Sequence, residues 1–147
     1  MNTPLMTEVN APQGRLHVAP QAGGDATPVL FLHADGGNLR QWDALRSKTG
    51  TTHVSIAFDR RGHGESAMPR SGSFRHEDAA LDTLAVADAA GFHDFVLVGH
   101  SGGALSAVAC AARAPQRVAA LVLVDPPPDP AVLPAGALAQ MIDGLRS

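Results

Sequence analysis

The chain has 147 residues, 45% of them hydrophobic and 17% charged, with a net charge of −3. That is enough for one domain with its own core, in the balance usual for a soluble globular protein. No lysine-rich or arginine-rich run tracks a phosphate backbone, which argues against nucleic acid as a partner.

Cys110 is the only cysteine and cannot form an internal disulfide. Its neighbours Ala107, Val108, Ala109 and Ala111 mark it as a small buried thiol, in keeping with a reducing compartment. Residues 1–12, MNTPLMTEVNAP, lack the basic start and apolar stretch of a secretory signal. No apolar run approaches the ~20 residues that span a bilayer. The expectation is a cytoplasmic protein without a membrane partner.

In chain order, Thr7 to Asn10 and Arg15 to Ala19, separated by Pro12 to Gly14, suit a hairpin. Val29 to Leu32 is too short and apolar for a helix and reads as a strand buried on both faces. A glycine-containing turn follows, then a short amphipathic stretch around Leu39, Trp42 and Leu45. His53 to Phe58 is the next strand, ending at Asp59. Ser73 to Ala90 reads as a helix, with Ser73 as its cap, Glu77 and Asp78 in its early turns, and Leu81, Leu84 and Ala85 on one face. Gly91 closes it.

Phe95 to Val98 is a third buried strand, and Gly99 opens a turn. Ala104, Leu105, Val108, Ala109 and Ala112 then recur at helical spacing from Gly102 to Arg113, and Ala114-Pro115 ends the helix. Ala120 to Val124 is a fourth buried strand, closed by Asp125 and three prolines. Strands joined by helices predict right-handed crossovers and an α/β fold, a mainly parallel sheet with helices on both faces. Chemistry in such sheets lies beyond the carboxyl ends of the strands, here after Leu32, Phe58, Val98 and Val124.

Gly99-His100-Ser101-Gly102-Gly103 occupies one of those ends. A serine in a sharp strand-to-helix turn projects its hydroxyl above the sheet, and glycines two residues to either side let the backbones pass closely. The Gly102 amide would point at an oxyanion. A structural glycine-rich turn and a phosphate cradle are the other readings. A dinucleotide fingerprint fails, because Gly-x-Gly-x-x-Gly cannot be laid on this stretch.

Three ordered motifs resemble those of the α/β-hydrolases. His33-Ala34-Asp35-Gly36-Gly37 resembles their oxyanion loop, with Ala34 in place of a customary glycine. Asp59-Arg60-Arg61-Gly62-His63-Gly64-Glu65-Ser66 resembles their turn after the fourth strand, and Val98 to Gly103 resembles their nucleophile elbow. Pro115-Gln116-Arg117-Val118 fits the following helix-to-strand join.

The resemblance implies Ser101 as nucleophile and the amides of Asp35 and Gly102 as oxyanion hole. It makes the Asp59 to Ser66 turn structural, with His63 packing a loop rather than acting as base. Asp125 stands where some members place their acid. The implied substrate is a small ester, lactone or related carbonyl compound. Carbon–carbon bond hydrolases, lactonases and cofactor-free haloperoxidases share the serine, whereas dehalogenases and epoxide hydrolases carry a carboxylate there. No cofactor is implied, and the histidines show no metal-ligand spacing.

The family's triad follows the order Ser, Asp or Glu, His, yet none of the 46 residues after Ser101 is histidine. His33 and His100 lie nearest, one below the oxyanion loop and the other leaving the elbow in another direction. His17, His53, His76 and His93 read as surface or strand-end residues. Without its histidine such a triad loses on the order of 10⁶ in turnover, so the chain as written is expected to be nearly inert. The fold is expected to be truncated after its sixth strand, with residues 1–128 a partial core. Residues 129–147, carrying Leu133, Leu138, Met141, Ile142 and Leu145, would begin a truncated cap. The last strand would be an apolar edge open to self-association. The alternative to a hydrolase is a non-catalytic remnant that binds or associates.

Overall fold

Val29 to Leu32, read from sequence as a strand of its own, is the end of one 19-residue strand in the computed structural model. The model describes residues 6–128, 135–136, 139–140 and 143–144. Strand β1 (Glu8–Ala11) makes the expected hairpin with β2 (Gly14–Leu32), pairing antiparallel from Glu8 opposite His17 to Ala11 opposite Gly14. The chain then passes a 3-10 turn (Leu39–Trp42), α1 (Asp43–Thr49), β3 (His53–Phe58) and α2 (His76–Ala90). Next come β4 (Phe95–His100), α3 (Gly102–Arg113) and β5 (Val118–Val124).

β2 flanks β3 on both edges. Val18 lies opposite Phe58 and Gln21 opposite Ser55, so the first half of β2 runs against β3. Val29 lies opposite Ser55 and Leu32 opposite Phe58, so the second half runs with it. The crossing passes the start of β3, where Ala26 N donates to Thr52 O (3.1 Å). Gly23 comes so close there that a Cβ would overlap the His53 carbonyl. The sheet continues in parallel from the second half of β2 to β4 and then β5. All the strands after the crossing therefore point their carboxyl ends the same way, as the sequence predicted.

Period-two alternation divides the core between the two faces. Leu30, Leu32, Ile56, Phe58 and Leu97 face Ala80, Val86 and Ala87 of α2 and Ala107 and Cys110 of α3. Val29, Phe31, Ala57 and Val98 face Leu39 and Trp42, and the Phe31 and Trp42 rings meet at 5.1 Å between centroids. Cys110 is fully buried, and burial pushes its thiol up to about 11. None of the described helices is long and apolar enough to cross a membrane.

Several expectations are corrected. α2 starts at His76, not Ser73, with Arg75 at its N-cap and no side-chain cap; the Ser73 hydroxyl donates to the Asp78 carboxylate and accepts from Arg75 N (3.3 Å). Its buried face carries Ala79, Ala80, Asp82, Thr83, Val86 and Ala87, while Leu81, Leu84 and Ala85 are only partly covered. Small residues win this face because α2 packs closely against α3. On α1, Leu45 is exposed and Arg46 is buried, where it donates to Ala19 O (2.5 Å) and Ser55 Oγ (3.1 Å). β4 runs through Gly99 to His100 before the chain turns. β5, read as a buried strand, is exposed at Leu121, Val122, Leu123 and Val124, and it forms the open apolar edge expected of the last strand, since among the described residues no strand pairs with its outer edge. The cap residues Leu133, Leu138, Met141, Ile142 and Leu145 lie outside the described residues.

Candidate active site

Ser101 stands between the last residue of β4 and the first of α3 with φ 53° and ψ −118°. A non-glycine residue with positive φ stores about 1–3 kcal/mol, and such strain persists only where the surroundings impose it. Here Ser101 N donates to Val124 O of β5 (3.0 Å), and Ser101 O accepts from Ala104 N (2.9 Å). The flanking glycines are required by contact. A Cβ at Gly99 would overlap the Gly103 backbone, and one at Gly103 would overlap the carbonyls of Leu32 and His33. Strand, turn and helix are thus held closer than any side chain allows.

The loop after β2 lies beside this turn. Ala34 N donates to Gln41 Oε1 (3.0 Å), Gly36 N to His63 Nε2 (3.1 Å) and Gly37 N to Ala34 O (3.0 Å). Among the described residues, the amides of Asp35 and Asn38 donate to no protein acceptor in this loop. At the helix start the Gly102 amide is one of the donors an α-helix leaves unpaired. The two segments touch, since a Cβ on Gly102 would overlap the Asp35 carboxylate. Ala34 replaces the family's glycine without strain, because Ser101 and Asp125 are the only non-glycine residues with positive φ among those described.

Arg60 ties the site together from the turn after β3. Its Nη1 donates to Asp35 Oδ1 (2.7 Å) and His33 O (3.1 Å), and its Nη2 to Ser106 Oγ of α3 (3.1 Å). Burial alone would raise the Asp35 pKa, but the hydrogen bond and charge of Arg60, helped by His63 and His76, hold it below the usual carboxylate range. Arg61 anchors the same turn to α2 through a buried pair with Asp82 (2.7 and 3.0 Å). Asp59 braces the turn from within. Its carboxylate accepts from Leu39 N (2.8 Å) and Glu65 N (2.9 Å), and with His17 these bonds outweigh desolvation to lower its pKa.

Among the described residues no histidine ring is hydrogen-bonded to Ser101. His33 is fully buried, its Nδ1–H donating to Ala34 O (2.7 Å) and its Nε2 accepting from Arg60 N (2.9 Å). Desolvation, reinforced by Arg60 and His63, lowers its pKa from 6.5 to about 4. With both nitrogens committed it is a support for the loop and has no site left to take a proton. His63 packs its ring against His33 at 5.0 Å and bonds Arg61 O as well as Gly36 N, in the loop-packing role expected of it. His100 turns away to Gln41. His17 and His76, read as surface or strand-end residues, are partly buried and bonded to Asp59 and Ser106.

Asp125 follows β5, and the bond from Ser101 N to Val124 O sets its backbone beside the turn. Its carboxylate is exposed, with no histidine partner among the described residues. A cavity of about 200 Å³ opens beside Asp35, walled by Arg60, His63, Phe74 and His76. Arg60, Gln41 and His76 were missed in the sequence because each acts through a contact to a distant segment. For Arg60, adjacency to Asp59 in the motif was the available signal.

The family model described as alpha/beta hydrolase fold matches residues 27–142. A putative carbamate hydrolase, RutD, of Klebsiella pneumoniae (strain 342) is 37% identical over 112 residues, 76% of this chain and 42% of that protein. Esterase Rv0045c of Mycobacterium tuberculosis is 38% identical over 130 residues, 87% of this chain and 42% of that one. The chain therefore spans about two fifths of the length of these relatives. Among solved structures, Est816, described as an N-acyl homoserine lactone degrading enzyme, superposes with a TM-score of 0.82 at 26% identity, covering 94% of this chain and 52% of Est816. The N-acyl homoserine lactonase AidH gives 0.74 at 26% identity, covering 87% of this chain and 46% of AidH.

Proposed function

The chain belongs to the alpha/beta hydrolase family, and from that premise we propose that it carries the nucleophile and oxyanion hole of a serine hydrolase. The observation that carries the proposal is Ser101 at φ 53° on the strand-to-helix turn, with the Asp35 loop against Gly102. The Ser101 hydroxyl attacks the carbonyl carbon of a small ester, lactone or related substrate. The amides of Asp35 and Gly102 stabilise the resulting oxyanion, each such donor being worth ~10²–10³ in rate. Collapse expels the alcohol and leaves an acyl-serine, which water hydrolyses. The esterase and lactonase descriptions of relatives support this substrate class.

A hydroxyl needs a base, and none of the described histidines is bonded to Ser101. We propose that the base lies outside these 147 residues, with Asp125 as the candidate acid, and that these residues by themselves are impaired by on the order of 10⁶ in turnover. The reaction needs no cofactor. The single buried cysteine supports a cytoplasmic location.

A second reading, association without catalysis, is favoured by the exposed apolar strand β5. Fluorophosphonate labelling read by intact mass tests the first. An adduct on the chain and none on Ser101→Ala would establish an activated serine. Absence of adduct on the folded chain, and equally after the remaining half of a relative is supplied, would overturn the nucleophile assignment.

A further inference from the structure

His17, Asp59 and Glu65 have no part in the proposed chemistry, yet they converge. His17 Nδ1, Asp59 Oδ2 and Glu65 Oε2 all lie within 4.8 Å of one another. His17 Nδ1 is 2.9 Å from Asp59 Oδ2 and 3.3 Å from Glu65 Oε2. Two donor atoms on a tetrahedral zinc ion, with bonds of about 2.1 Å, stand about 3.4 Å apart. We propose that these three side chains form a binding site for a divalent transition-metal cation of the zinc class, separate from Ser101.

The donor set argues for that class. One imidazole nitrogen with two carboxylate oxygens suits zinc or cobalt, whereas magnesium and calcium favour oxygen alone. Two of the three ligands are held before any ion arrives. Asp59 is buried, with its oxygens fixed by the Leu39 and Glu65 amides. His17 is tied at both ends of its backbone unit, its N donating to Ser66 Oγ (2.9 Å) and its O accepting from Asp59 N (2.9 Å). Outer bonds to a ligating carboxylate, such as those to Asp59, typically carry 10–100-fold in metal affinity.

A separate observation is the space. The cluster forms one wall of a cavity of about 190 Å³, completed by Asn38, Leu39, Arg40 and Gly64. It has room for the ion and for the water that would complete four-coordination. Arg40 opposes a cation there, and Glu65 is exposed. Affinity is therefore expected to fall below that of closed four-ligand sites. The ion would brace the turn that carries Arg60 and His63 to the Asp35 loop.

Calorimetric titration of the purified chain with zinc, and visible absorption with cobalt, test this. One saturable site is expected, absent with magnesium, weakened at least tenfold in Glu65→Gln and unchanged in His93→Gln. Glu65 is exposed, so that variant keeps the fold, and circular dichroism verifies it. His17→Gln should abolish binding where it folds. No saturable binding, or Glu65→Gln binding as tightly as the parent, would overturn the site.

Discussion

Arg60 holds the Asp35 carboxylate against the Cα of Gly102, with 2.7 Å between Nη1 and Oδ1. If the Asp35 and Gly102 amides hold an oxyanion as proposed, a carboxylate beside them would oppose the developing charge, and the guanidinium would offset it. The partners differ in burial, Arg60 being enclosed and Asp35 exposed. Arg60→Met strands the acceptors Ser106 Oγ and His33 O and should cost about 2–3 kcal/mol. Asp35→Asn should cost under about 1 kcal/mol, as exposed pairs do. Urea denaturation of both variants checks this, and equal losses would contradict it.

Strain at Ser101 gives a second expectation. Glycine adopts positive φ freely, so Ser101→Gly should raise stability by about 1 kcal/mol while removing the proposed nucleophile. Chemical denaturation of parent and variant measures the difference. A destabilised variant would mean that the turn is not strained.

The buried pair Arg61–Asp82 links the turn after β3 to α2. Removing one partner leaves a buried charge, so Asp82→Ala should cost about 3–5 kcal/mol. The double variant Arg61→Met/Asp82→Ala should lose less than the two single losses combined. Strict additivity in a double-mutant cycle would deny the interaction.

His33 sets a pH dependence. Its pKa falls from 6.5 to about 4 on folding, so the unfolded chain binds the extra proton between those values. Stability then declines as pH drops from 6.5 towards 4, by about 3 kcal/mol in all. Asp35 and Asp59, with lowered pKa values, add their losses only below the ordinary carboxylate range. Unfolding free energies at pH 7, 6 and 5 should show the slope, and His33→Gln should flatten it.

The edge strand bears on the second reading. If β5 drives association, size-exclusion chromatography should show a concentration-dependent dimer or larger species, and Val122→Lys should return a monomer. A monomer at all concentrations would remove that reading.

The fold class, the hairpin, His53–Phe58 and Gly102–Arg113 were legible because each rests on a local pattern. Apolar runs bounded by turn residues mark the strands, and helical spacing before a proline marks the helix. Gly99 to Gly103 was legible for the same reason: glycines are demanded within five residues of the serine they serve. The start of α2 was not, because the Ser73 hydroxyl bonds the Asp78 carboxylate and the Arg75 amide ahead of the helix, and the helix begins only after Arg75.

What the sequence by itself determined is therefore the set of elements, their order, and the turn that bears Ser101, all governed by backbone conformation over a few residues. The tertiary structure decided which side chains meet across the sheet. It brought Arg60 to Asp35 and Ser106, His63 to Gly36, and His17 to Asp59, pairs 25 to 46 residues apart in the chain. Such contacts depend on how β2 crosses β3 and on how closely glycine lets α3 approach the sheet, and no local periodicity encodes either distance.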